Sequence, residues 1–193
     1  MPRKSARQLW ADKLKGKSTD ASQLKRLPTI GSPFKGSVMG IDPSLRGTGL
    51  AVVEILGPNT RTLLHSRTVL IKPSVSMFNC LGQINESVSD ILNMYSIDAV
   101  AVEQTIYVQN FQTAQVMGAA RGAAIAAAAV MGKPIYEYAP LRIKQAVVGV
   151  GRASKEQVAK TVMGLMGISD ALDHDQSDAA AVALCHAFTS FEE

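Results

Sequence analysis

Two carboxylates close apolar runs in this chain. Asp42 ends VMGID with Pro43 directly after it, and Glu103 ends AVAVE. Such runs read as buried strands, so each acid stands where a strand leaves the core. Parallel strands place ligands beyond their carboxyl ends, so two neighbouring strands that both end in an acid form a candidate site. Taken singly, either acid could equally cap a helix or hold an ion pair. A third element, DHDQSDAAAVALCHA, carries Asp175 and Asp178 at i and i+3, on one face of a first helical turn. Complementing the helix dipole would explain acids there without any metal. The residues after Asp178, however, are almost wholly apolar, which buries this helix against a sheet. Four carboxylates brought together at low dielectric repel one another, and a pair of Mg2+ ions would cancel their charge. Two-metal phosphoryl chemistry needs such a clamp, one cation activating water and the other stabilising the leaving oxygen. Oxygen-only ligands suit Mg2+ or Mn2+ better than zinc. On residues alone this is a candidate divalent-metal site.

The elements that must position these acids can be read from pattern. SVMGID, LAVVEIL and RTLLHSRTVLI, separated by the turn signals DPS, RGTG and GPNT, predict three strands in an antiparallel meander. Leu81, Ile84, Val88, Ile91, Leu92 and Tyr95 recur at helical spacing over Met77 to Tyr95. DAVAVE is a strand, Asn110 caps a long helix through Met131, and PIYEY is another short strand. Helical patterns follow at Leu141 to Val148, Ser154 to Leu165 and Asp175 to Thr189. A meander followed by alternating strands and helices predicts an α/β fold with a mixed sheet. The small residues of the Asn110 helix suit close packing, on the core before a dimer interface.

The 193 residues suit one domain plus a tail. Residues 1 to 35 hold nine Lys/Arg against two Asp/Glu, and the rest hold eleven against fourteen. The pI near 9.1 therefore describes the tail rather than the domain. We divide the chain into a basic, flexible extension (1–36) and a domain (37–190). The extension fits a nucleic-acid-binding arm, a transit peptide or an inert solvated segment. Cys80 and Cys185 lack any zinc or disulfide spacing and read as buried thiols. No segment reads as a membrane span or a secretion signal, so a cytoplasmic location is expected. His174 reads as a polar residue at a helix start, and His65 and His186 have no partner pattern.

Three segments resemble the RuvC family of Holliday junction resolvases. They are IDPSLRGTGLAVVE, AVEQTIYVQNFQTAQVMGAARGAAIAAA and YEYAPLRIKQAVVGVGRASKEQVAKTV. With DQSDAAAVALCHA they run in family order and spacing over about residues 37 to 188. The resemblance implies an RNase H-like fold, a mixed five-stranded sheet flanked by helices. It carries the family's four catalytic, metal-binding acids onto Asp42, Glu103, Asp175 and Asp178. The implied cofactor is Mg2+, two ions per active site, with Mn2+ able to substitute. Lys144 and Lys155 take the places of the family's basic residues near the active site, and Tyr107 and Arg121 join them as expected DNA contacts. Also implied are a homodimer, symmetric paired nicks in four-way junction DNA during recombination and repair, and a partner branch-migration motor complex.

The chain departs from the family pattern in places. Ser44 stands where Gly is usual, and Ile106 where an aromatic is common, with Tyr107 next to it as a substitute. Two other activities fit parts of the pattern: an RNase H-fold nuclease on another branched substrate or an RNA–DNA hybrid, and a non-catalytic junction binder. The binder would require loss of at least one acid, and all four are present. DPSLRGTG alone would permit an actin-like ATPase, but that architecture needs a second similar domain.

Overall fold

A computed structural model describes residues 32–105, 110–170 and 172–192. Residues 1–31 of the expected flexible extension, and Tyr107 with Ile106, lie outside the described residues. Within the extension's last residues, Phe34 packs edge-on against His186 and Gly36 opens a strand.

The meander forms as its alternation of apolar runs and turns requires. Strands β1 (Gly36–Asp42), β2 (Gly47–Gly57) and β3 (Thr60–Leu70) pair antiparallel in sequence order. Helix α1 (Met77–Met94) follows, with Ser76 capping it by accepting from the Asn79 N–H. Strand β4 (Ala99–Glu103) then lies parallel to β1, and β5 (Ile135–Tyr138) parallel to β4. Helix α2 (Phe111–Val130) connects them, with Asn110 as its cap. The sheet order β3-β2-β1-β4-β5 puts the two strands that end in acids side by side at the centre. Helices α3 (Pro140–Val148), α4 (Lys155–Met166) and α5 (His174–Thr189) complete the domain. This is the mixed five-stranded RNase H-like architecture that the motifs imply.

Side chains alternate across the sheet and split the core in two. Met39, Ile41, Leu50, Val52, Val100 and Val102 pack with α1 and α2, where Ala120, Ala124, Ala127 and Ala128 are buried. The small residues of α2 thus serve the core. Val38, Ala51, Val53 and Ala101 face the other way, against α3, α4 and α5. Asp42 shares the parity of Val38, and Glu103 that of Ala101. Both carboxylates therefore belong to the α5 face.

Helix α5 lies unusually near the sheet because both surfaces are small. Residues Ala179 to Ala187 are buried on every side of the helix. A Cβ at Gly40 would collide with the Ala179 carbonyl oxygen, and one at Gly49 with that of Asp175. These glycines are needed for close backbone approach. Gly40→Ala and Gly49→Ala are each expected to lower stability by about 1–3 kcal/mol, the usual range for overpacking a filled core. Urea unfolding with an unchanged midpoint in both variants would place α5 farther from the sheet.

Candidate active site

The parallel register sets Ile41 level with Val102, so Asp42 and Glu103 emerge next to each other. Their carboxyl groups share a hydrogen bond. After Asp42 the chain turns tightly: the Ser44 N–H donates to Thr48 Oγ1, and that hydroxyl donates back to the Ser44 carbonyl. Thr48 is fully buried, so this clamp fixes the strand exit.

Asp178 approaches from α5 and accepts from Lys155 Nζ at 2.9 Å. Lys155 is the first residue of α4, after a capping box between Ser154 and Gln157. Asp42, Glu103, Asp178, Lys144 and Lys155 line one crevice of about 480 Å³, together with Gln104, Thr105, Met117 and Pro140. These last four carry no charge that marks them in the sequence; Gln104 and Thr105 directly follow a strand-end acid, the signal that could have found them. Asp175 is one turn earlier on the helix, beside Gly47, and its charge reaches Asp42 without lining the crevice.

Burial, then the charge of Asp178, pushes the Asp42 carboxyl up to about 6. Burial, then the charge of Asp42, pushes Glu103 up to about 8. The hydrogen bond from Lys155 to Asp178 holds the ammonium charged, its pKa above the ordinary lysine value. Among the described residues no three His, Cys, Asp or Glu side chains already converge on one point. The acids are instead tied up in pairs, Asp42 with Glu103 and Asp178 with Lys155. Carboxylates this crowded lack positive charge, and their all-oxygen donors are those that hard divalent cations prefer. The residues present fit such an ion.

The remaining expected DNA contact is placed elsewhere. Arg121 pairs with Glu137 on β5 and is absent from the crevice lining. His174 is exposed at the start of α5, as a polar first-turn residue should be. Cys80 and Cys185 are free and buried. His186, without a partner in the sequence pattern, has two: Tyr138 Oη at 2.8 Å and Ser190 Oγ at 3.1 Å from its Nδ1.

The family model for crossover junction endodeoxyribonuclease RuvC matches residues 38–186. The chain belongs to the RuvC family. A RuvC from Trichlorobacter lovleyi is 44% identical over 149 residues, covering 77% of this chain and 83% of that protein. A RuvC from Akkermansia muciniphila is 41% identical over 153 residues, with 79% and 91% covered. The structure of T. thermophilus RuvC in complex with Holliday junction substrate superposes with a TM-score of 0.75 at 38% identity, covering 79% of this chain and 93% of that one. The RuvC match contains all four acids and both crevice lysines. Among the described residues, no helix is long and apolar enough to cross a membrane.

The electrostatics of the acids carry a pH signature. Glu103 has its folded-state pKa raised above the unfolded value, so its contribution to stability is lost as pH rises from about 4.5 to about 8. Buried His186 runs the other way: its pKa is pushed down to about 4, so stability is gained as pH rises toward 6.5. Above about pH 6.5 the carboxylate effect therefore stands clear. The melting temperature of chelator-treated protein is expected to fall from there to about pH 8, and the fall to flatten in Glu103→Gln. Equal slopes in the two proteins would show that Glu103 is not crowded.

Proposed function

We propose that this chain cuts four-way DNA junctions by symmetric paired nicks, using two Mg2+ ions per active site held by Asp42, Glu103, Asp175 and Asp178. Mn2+ would substitute for Mg2+. The observation that carries this reading is the pairing of Asp42 with Glu103 at adjacent parallel strand ends, with Asp178 of α5 lining the same crevice. Family membership narrows the substrate, since the relatives are crossover junction endodeoxyribonucleases and one was solved with a Holliday junction substrate.

Bound divalent cations would supply Lewis-acid activation of water and stabilise the leaving oxygen. The chain's own groups do the rest. The four carboxylates hold the ions. Lys144 and Lys155, at the crevice wall, draw in the scissile phosphate and offset the charge that grows as it is attacked. Arg121 and Tyr107 belong to the wider DNA contact in this reading. For Arg121 that requires release from Glu137 or joint use of the guanidinium. A twofold homodimer would match the near-twofold symmetry of a four-way junction and place one site on each of two opposing strands. A branch-migration motor complex would deliver the junction.

The test is a substrate panel with Mg2+: a mobile four-way junction, a linear duplex of the same sequence and an RNA–DNA hybrid. Cutting confined to the junction, from a species that sediments as a dimer, supports the proposal. Preferential cutting of the hybrid would move the chain to the alternative nuclease reading. Binding without cutting would make it a junction-binding protein.

The basic N-terminal residues give a separate expectation. Deleting residues 1 to 35 removes a net charge of +7. If they meet phosphates, the truncated protein cuts at the parental rate once bound, but the slope of log K against log[salt] becomes shallower as fewer counterions are released. Identical slopes would favour a targeting role.

A further inference from the structure

We propose that Gln176 is a positioning residue for the carboxylate site. It sets, through Ser66, the rotation of the turn that carries Asp175 and Asp178. The proposal rests on the divalent-cation reading of those acids and extends it to residues with no ligand chemistry of their own.

Ser66 Oγ, on β3, donates to Gln176 Oε1 at 3.1 Å, and Gln176 Nε2 donates to Asp173 Oδ2 at 3.2 Å. Among the described residues this is the side-chain hydrogen bond that joins the first turn of α5 to the sheet. Two further features make the turn depend on it. Asp173 occupies the cap position but makes no side-chain cap bond, its carboxylate being engaged by Gln176. The buried residues of the first two turns are the small Ser177, Ala179, Ala180 and Ala181, and the helix backbone itself rests on glycine, at Asp175 over Gly49 and at Ala179 over Gly40. Small side chains on bare backbone give close approach but no knob to resist rotation about the helix axis. The second polar restraint, Lys155 to Asp178, comes from a side chain that is 62% exposed. An exposed lysine pair contributes little and holds geometry loosely. The part-buried Ser66–Gln176 bridge is the stiffer of the two. Asp175 and Asp178 flank Gln176 in sequence, so a rotation that it permits moves both.

The experiment measures Mn2+ binding to the full-length protein by the loss of the free-ion EPR signal, without DNA and well below the melting temperature. Ser66→Ala and Gln176→Ala are each expected to weaken Mn2+ binding about tenfold, the low end of what outer-shell partners of metal ligands cost. The double variant should bind no more weakly than either single one, because both changes break the same bridge. Ser66→Thr, which keeps the hydroxyl, should bind as the parent does. Lower melting temperatures with unchanged Mn2+ affinity, or additive losses in the double variant, would overturn the proposal. Asp178→Asn separates the two layers. If it loses Mn2+ while the Ser66 and Gln176 variants do not, the positioning role alone falls. If Asp178→Asn binds as the parent does, the cation site itself is wrong.

Discussion

Glu103→Gln is expected to bind a four-way junction with nearly the parental Kd and to cut it at least ~100-fold more slowly in a single turnover, because removing a ligand removes water activation and leaving-group stabilisation together. Glu103 is the acid most firmly built into the sheet. It closes a central strand, hydrogen-bonds Asp42 and has its carboxyl pushed up to about 8. Gln preserves the shape and can still hydrogen-bond Asp42, so folding should survive. Relief of the repulsion should, if anything, raise the melting temperature of chelator-treated protein. A gel-shift titration beside a quench-flow time course reads both quantities. Near-parental cutting would remove Glu103 from the site and leave the pair at the strand ends as a structural contact.

Asp175→Asn and Asp178→Asn should each abolish nearly all junction cleavage without destabilising the protein. Two physical roles for these acids predict opposite patterns. As partners of the helix dipole, either substitution would cost roughly 0.3–1 kcal/mol and spare activity. As members of a crowded carboxylate site, either would relieve charge, since both acids raise the Asp42 pKa. Asp178→Asn also gives up its pair with Lys155, a loss kept small by the exposure of that lysine. Thermal melts in chelator, set beside cleavage rates, decide between the roles. Lower stability with retained cleavage would return both acids to the dipole explanation. Asp175 is the sharper test of the two, because it stands outside the crevice lining and must act through a site that its charge already feels.

The strand-end acids were legible because a charged residue closing an apolar run has few places to go. Their common face was legible too, since residues 38, 40 and 42 share one side of a strand. Gly40 and Gly49 carried the signal of a close backbone approach without naming its partner, because α5 comes more than a hundred residues later. The partners of polar side chains were the least legible. His186 finds Tyr138 across 48 residues, and Gln176 finds Ser66 across 110. No local period encodes such a meeting; it depends on how the strands order in the sheet. For the same reason the motif that implies a DNA contact for Arg121 of α2 does not reveal its meeting with Glu137 on β5. The pairing of Lys155 with Asp178 is hidden likewise, although the family motifs carry each residue to the site.

Crystals grown with Mn2+ and measured near its absorption edge test the carboxylate site most directly. Anomalous peaks should lie within about 2.0–2.4 Å of carboxylate oxygens from Asp42 and Glu103 and from at least one of Asp175 and Asp178, with Asp178 drawn from Lys155 toward the ion. Peaks only at other surface carboxylates under saturating Mn2+, with Asp42 still hydrogen-bonded to Glu103 and Asp178 still on Lys155, would contradict it.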